Sequence, residues 1–298
     1  MKTWANAIGI DVGGTKIHAA AVSSSGKILR QALVETPKKK AEAIEKIIGL
    51  AKNLADKNTV AIGIGIPGPV DFEKQMVIDA SNLSGWKNVP LGRIVSKASG
   101  LPCTVDNDAK CFLQAEMAYG AAKGRRNVIG VIMGTGFGSA LAIDGKIYRG
   151  GHGSAGEFGH TIISDRSGAA GFRNAGELES FASGKAVSAM AGGKDAKSVF
   201  EAARKGDKTA KVVVELAARH AGIGFSNIIN VLDPEIIVVG GSLSNALAQM
   251  LPQIKKAIAT NCFGPARKTK VVRHKLEFPG TIGAAAAAKA RHANAGKQ

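Results

Sequence analysis

Two stretches of this chain repeat one another. Residues 8–30 read IGIDVGGTKIHAAAVSSSGKILR, and residues 129–149 read IGVIMGTGFGSALAIDGKIYR. With one gap of two residues, Ile8-Gly9 meets Ile129-Gly130, Gly13 meets Gly134, and Gly26-Lys27-Ile28 meets Gly145-Lys146-Ile147. Each copy runs strand, glycine turn, strand, second turn, strand, which is a meander led by a β-hairpin. A unit that recurs in this way implies two related sheets. At 298 residues the chain is long enough for two domains sharing a cleft. Glycine at a hairpin tip admits positive φ and lets backbone N–H groups approach an anion closely. Two such tips facing one another could grip a triphosphate from both sides.

Neither tip is a Walker loop, because no G-x-x-x-x-G-K-[ST] occurs in the chain. Gly63, Gly65 and Gly68 do satisfy G-x-G-x-x-G. However, Pro67, Pro69 and Asp71 stand where a dinucleotide-binding helix would begin, and that reading is discarded. The remainder alternates strands and helices. Residues 40–55 have helical periodicity, with Ile44, Ile47, Ile48, Ala51 and Leu54 on one face. Residues 60–66 form a strand apolar enough for burial on both faces. Residues 108–120 and 209–232 are predicted helical, 235–239 a short strand ending at Gly240-Gly241, and the alanine-rich tail from Ile282 a helix.

Composition narrows the function classes. The hydrophobic share of 45% supports a sizeable core. The formal charge of +17, from 40 Lys and Arg against 23 Asp and Glu, favours polyanions such as nucleic acid, anionic lipid, ATP or polyphosphate. The bases are spread along the chain and aromatics are only 5%, unlike a nucleic-acid reader with concentrated charge and stacking platforms. Cys103, Cys111 and Cys262 have no metal-ligand spacing and are expected to be plain core thiols of a reducing compartment. Asp11 interrupts the only apolar run near the N-terminus, and no other run is expected to span a bilayer. The expectation is a cytoplasmic protein.

Nine motifs then occur in order: DVGGTK at 11–16, GIPGPVD at 65–71, NLSGW at 82–86, DNDA at 106–109, GTGFGS at 134–139, GEFGH at 156–160, LESFASG at 178–184, LDPEIIVVGGSLS at 232–244 and IGAAA at 282–286. Singly each is weak. In this order they resemble the ROK sugar kinases (repressor, open reading frame, kinase), glucokinases above all. The resemblance implies an α/β, two-lobed actin-like (ribonuclease H-like) ATPase fold with duplicated, hairpin-led mixed sheets. The small lobe would comprise residues 1–120 with the helix of 282–298 returning to it, and the large lobe residues 121–281. It also implies the roles of individual residues. Asp11 would hold Mg²⁺ through water, with Gly13, Gly14 and Thr15 meeting the phosphates of ATP. Gly134, Thr135 and Gly136 would form the facing phosphate loop, and Gly240 and Gly241 would lie beside the adenosine. Asn107, Glu157, His160 and Glu179 would hydrogen-bond sugar hydroxyls, with Gly68 and Asn82 nearby. Asp108 would be the catalytic base, and a homodimer would be the assembly.

Elementary chemistry makes these roles sensible. Phosphoryl transfer needs a positioned hydroxyl, neutralised phosphate charge and an in-line arrangement. Asp108 stands at a predicted helix start, where partial positive charge would keep a carboxylate ionised. By themselves, Asp106 to Asp108 serve equally well as cap residues; the surrounding motifs favour catalysis.

The chain departs from the family at one place. Most ROK proteins bind a structural zinc through the His of GEFGH and three following cysteines, whose places here hold Ala170, Phe172 and Glu177. No zinc is expected, since a structural site needs four ligands. His160 then needs another group to orient its ring, drawn from Asp165, Arg166, Arg173, Asn174, Glu177 or the loop backbone. Two rival functions are weighed. A DNA-binding repressor would carry a winged helix ahead of the DxGGT turn, and only ten residues precede Asp11. A non-catalytic sensor would not need Asp108. Polyphosphate remains the alternative phosphoryl donor, and N-acetylhexosamines or fructose the alternative acceptors.

Overall fold

In the computed structural model, which describes residues 5–80, 83–174 and 176–295, both meanders form. In the first, β1 (Asn6–Val12) and β2 (Lys16–Val22) pair antiparallel around Gly13-Gly14-Thr15, and β3 (Ile28–Glu35) adds outside β2. There follow α1 (Lys40–Leu54), β4 (Thr59–Ile66), β5 (Val70–Asp71), β6 (Met76–Asp79), β7 (Lys87–Val89), α2 (Leu91–Ser99), β8 (Cys103–Asn107) and α3 (Asp108–Ala118). The sheet order is β3-β2-β1-β4-β8, with β1, β4 and β8 parallel. Strands β5, β6 and β7 make a small antiparallel sheet of their own. The buried stripe of α1 is Ala43, Ile47, Leu50, Ala51 and Leu54, while Ile44 and Ile48 are only half-buried at its margin. The core-facing side is thus turned slightly from the expected one.

The second meander is β9 (Val128–Met133), β10 (Phe137–Ile143) and β11 (Lys146–Tyr148). After it come α4 (Glu179–Ala182), α5 (Gly184–Met190), α6 (Ala196–Arg204), α7 (Lys208–Leu232), β12 (Ile236–Gly240), α8 (Leu247–Asn261), β13 (Lys270–Arg273) and α9 (Pro279–Ala295). The second sheet runs β11-β10-β9-β12-β13, again an antiparallel hairpin followed by two parallel neighbours. Strand for strand it repeats the first. The sequence repeat is therefore a repeat of topology.

Two compact units result. The first takes in residues up to Gly124, Ile147–Ala155 and everything from Lys275; the second is Arg125–Lys146 and Gly156–His274. Residues 121–124, 147–155 and 275–281, assigned above to the large lobe, belong to the first unit. Polar anchors explain the second of these. Arg149 Nη2 donates to Asp106 Oδ2 at 2.5 Å, and the ammonium of Lys110 donates to Gly153 O at 3.0 Å.

Helix α9 starts at Pro279, three residues before the alanine run, with proline at the position where its missing N–H costs nothing. It lies so close on the first sheet that a Cβ at Gly9 would strike Thr281 O and one at Gly63 would strike Ala284 O. Only glycine allows that approach. Helix α7 is long and apolar enough to cross a membrane by length and composition, contrary to the expectation that no such run exists, but most of its apolar window is buried inside its own unit. It is a core helix, with Phe225 among the largest fully buried side chains. Cys111 and Cys262 are buried as expected, and Cys103 is half-exposed at the start of β8.

Candidate functional site

The first unit carries one glycine tip, expected to meet phosphate, and the expected base. At the β1–β2 tip, Gly13 N donates to Lys16 O at 2.9 Å, while Thr36 braces the turn through its N–H to Thr15 O and its hydroxyl to Gly13 O. The carbonyls of Gly13 and Thr15 are thereby occupied by protein. Among the described residues, no hydrogen bond takes the N–H groups of Gly14 and Thr15, which is the arrangement an anion would meet. Asp11, at the end of β1, is pushed up to about 7 by burial first and by the negative charge of Asp108 second. Two carboxylates, one of them raised by the charge of the other, form a hard-oxygen set whose repulsion a divalent cation relieves, so the residues fit Mg²⁺.

Asn107 and Asp108 divide the two roles that were open in the sequence. Asn107 is the N-cap of α3: its Oδ1 accepts from Ala109 N at 3.0 Å and Lys110 N at 3.2 Å. Its Nδ2 donates to Gly68 O at 3.2 Å and to Asp108 Oδ1 at 3.0 Å. All four hydrogen-bonding positions of the amide are filled, so Asn107 would reach a sugar hydroxyl only by releasing Gly68 or Asp108. Gly68 meets Asn107 through its carbonyl and has φ +86. Asp108 Oδ1 accepts from Ala109 N at 2.8 Å and from Asn107 Nδ2 at 3.0 Å. Its acidity is lowered by burial, only partly countered by Ala109 N–H, Lys110 and Asn107, so its pKa is raised. Contrary to the expectation that helix-start charge would dominate, desolvation outweighs it. A carboxylate with raised proton affinity is the better general base. Asn82 lies outside the described residues.

The second unit carries the other tip. Gly134 N donates to Gly136 O at 3.0 Å, and the tip carbonyls are again taken, Gly134 O by Gly184 N at 2.7 Å and Thr135 O by Lys185 N at 3.2 Å. Glu179 Oε2 accepts from Phe137 N at 2.7 Å and lies against Gly136, where a Cβ would crowd it. An expected sugar ligand thus fastens the β9–β10 tip. Beside this tip is a cavity of about 680 Å³, walled by Gly134 and Thr135, by Lys185 and Ser188 of α5, by Phe200 and Arg204 of α6, and by Ser242 to Gln249. Gly240 and Gly241 do not line it. Gly241 instead turns the chain at φ +79 tightly against Met133 and delivers Ser242, Leu243 and Asn245 to the wall. The walls from α5 and α6 were missed. Lys185, next to the LESFASG motif, was the one legible signal; α6 has none beyond amphipathicity.

The GEFGH turn leads into a loop of the same unit. Phe158–His160 form a single 3₁₀ turn, with Glu157 just ahead of it and exposed. His160 Nδ1 lies 3.0 Å from Glu177 Oε2, and the other oxygen, Oε1, accepts from Arg173 N at 3.0 Å. Phe172 is half-buried beneath the ammonium of Lys185, and Leu178 is fully buried. The only zinc donors left at this place, His160 and Glu177, are bonded to each other. Among the described residues no group of three or more His, Cys, Asp and Glu could hold a metal ion. The donor set does not fit a tetrahedral structural zinc.

Sequence reasoning missed the support behind Asp108. Asp106 and Lys110 are almost completely buried, and they flank Asn107 and Asp108. The Arg149 guanidinium that pairs with Asp106 also covers the Phe72 ring at 3.6 Å. Asp106 Oδ1 in turn accepts from Asn107 N at 2.9 Å.

The chain resembles known proteins over nearly its whole length. The ROK family model matches residues 7–291. A glucokinase of Streptomyces coelicolor is 33% identical over 273 residues, covering 84% of this chain and 86% of its own. An N-acetyl-D-glucosamine kinase of Photobacterium profundum is 30% identical over 299 residues, covering 93% and 97%. The crystal structure of a ROK family glucokinase from Streptomyces griseus, in complex with glucose and AMPPNP, superposes with a TM-score of 0.82 at 32% identity, covering 96% of this chain and 99% of that one.

Proposed function

We propose, from the premise that this chain belongs to the ROK family, that it transfers the γ-phosphoryl group of ATP, carried with Mg²⁺, to a hydroxyl of a hexose, with glucose to glucose 6-phosphate as the reaction. The chain is a sugar kinase of the actin-like ATPase fold. The finer assignment rests chiefly on Asp108, a carboxylate at the start of α3, next to the N-cap Asn107, whose proton affinity is raised by burial. It would take the proton of the acceptor hydroxyl as that oxygen attacks the γ-phosphorus and the bond to the β-phosphate oxygen breaks. The N–H groups of Gly14, Thr15, Thr135 and Gly136 would hold the phosphates, and Asp11 would orient the hydrated Mg²⁺, whose part is to neutralise phosphate charge. Glu157, His160 and Glu179 would hold the sugar, and the cavity beside Thr135 would take the nucleoside.

The N-acetyl-D-glucosamine kinase relative supports an N-acetylhexosamine as the second acceptor to be tried. The test is a coupled phosphorylation assay with glucose, mannose, N-acetylglucosamine and fructose, each with Mg-ATP and with polyphosphate, beside thermal shifts of the same mixtures, since a true ligand stabilises the native state. Glucose with Mg-ATP is expected to give the highest kcat/KM. Turnover with polyphosphate but not ATP would overturn the donor assignment, and no turnover with any sugar would overturn the reading.

A further inference from the structure

Glu177 is among the most completely buried ionisable side chains of the chain, with 1% of it exposed, and it stands at the neck of a loop. A carboxylate so placed needs partners for both oxygens. It has them in Arg173 N and in the ring of His160. The neck is rigid: Ile162 and Glu177 pair as an antiparallel bridge, flanked by Ile163 N to Gly176 O and Leu178 N to Thr161 O, both 2.9 Å. The carbonyl of Glu177 accepts both the N–H and the hydroxyl of Ser180. Backbone therefore fixes where the carboxylate sits, and the carboxylate fixes the ring. An ionised carboxylate only accepts, so the Nδ1 facing it must carry the hydrogen. In a neutral imidazole the other nitrogen is then an acceptor. The His160 side chain is 41% exposed, so that nitrogen is reachable by a ligand.

We propose that Glu177 is a positioning residue that sets His160 as the Nδ1–H tautomer, so that Nε2 accepts a hydrogen from a free hydroxyl of a neutral sugar. This rests on the sugar-kinase reading for the identity of the ligand, but not for the tautomer. Nε2 refuses an acceptor presented at the same point, such as an ether oxygen or a carboxylate. A sugar methylated or oxidised at the hydroxyl that meets His160 is therefore rejected.

The tautomer is read directly in the whole protein, ¹⁵N-labelled at histidine, from long-range ¹H–¹⁵N spectra at pH 7.5, with His160→Gln identifying the resonances. The expected pattern is a protonated Nδ1 and an acceptor Nε2 in the parent, and loss of that preference in Glu177→Ala. An Nε2–H tautomer or an imidazolium in the parent overturns the inference, and this arm needs no variant that could fail to fold. Glu177→Ala is then expected to raise the KM for sugar about tenfold with kcat within a few-fold, the signature of one lost neutral hydrogen bond made equally in ground and transition states. Glu177→Gln, which keeps the side-chain shape but only one acceptor oxygen for two donors, should recover part of the loss. An unchanged sugar KM in Glu177→Ala overturns the positioning role. An unchanged sugar KM in His160→Gln overturns instead the reading of His160 as a sugar ligand, whatever the tautomer shows.

Discussion

Glu116, near the end of α3, offers the sharpest stability test. Its side chain has no exposed surface. Its carboxylate accepts from Ala121 N at 2.7 Å, from Lys275 N at 3.1 Å and from Leu276 N at 3.0 Å. One buried charge thus ties down both the segment by which the chain leaves the first unit and the segment by which it returns. Glu116→Ala would leave three backbone donors without partners. Orphaning a buried donor costs about 1–3 kcal/mol. Lys275 lies at an exposed residue where water can replace the carboxylate, so two donors bear the full cost and the loss should centre on about 4 kcal/mol. Glu116→Gln keeps one acceptor oxygen but turns an amide N–H toward a donor, and should lose about half as much. A chain with two units need not unfold in one step, so the readout should be local. Amide hydrogen exchange at residues 121, 275 and 276 should accelerate by about 10³-fold in Glu116→Ala, while β9 is unaffected. Exchange within threefold of the parent at all three amides would refute the assignment of Glu116 as their anchor.

Asp11 gives a pH signature. Its pKa is about 7 in the fold against 3.8 for the free side chain, so between those values the native state holds a proton that the unfolded chain has released. That contribution to stability is present below about pH 4 and is lost as pH rises toward 7. The melting midpoint of Asp11→Asn minus that of the parent, measured without divalent cation, should therefore grow from pH 4 to 7 and level off above; a constant difference contradicts it. Gly63→Ala should destabilise by about 1–3 kcal/mol or more through the clash with Ala284 O, measured by denaturant unfolding, and a neutral effect would mean that α9 shifts freely. Elemental analysis of the purified protein should find no stoichiometric zinc, and chelators should leave its melting midpoint unchanged; one zinc per chain would contradict the reading of His160 and Glu177.

What was legible in the sequence was local or periodic. The repeat of 8–30 in 129–149 foretold two sheets of one topology, because hairpin tips and apolar runs are written in consecutive residues. The start of α3 at Asp108 was legible for the same reason. Side chains that act over long separations were not. Arg149 reaches Asp106, and Glu116 reaches Lys275 and Leu276, through contacts that leave no spacing rule behind. The partner of His160 was narrowed to one loop, but only the β-bridge at Ile162 explains why Glu177, rather than Asp165, arrives there. Lys185 shows the opposite failure. It follows a recognised motif directly, yet its backbone bond to Thr135 O depends on α5 folding over the tip.

The central claim is that Asp108 takes the proton of a sugar hydroxyl. Asp108→Asn keeps the oxygen that accepts from Ala109 N and Asn107 Nδ2, so the cap and the start of α3 should survive. It removes only the capacity to accept a proton. Turnover with glucose and saturating Mg-ATP, set beside the calorimetric Kd for glucose, separates the two. The expected result is a fall in kcat of about 10²–10⁴-fold with Kd within threefold of the parent. Turnover within a few-fold of the parent would contradict the claim.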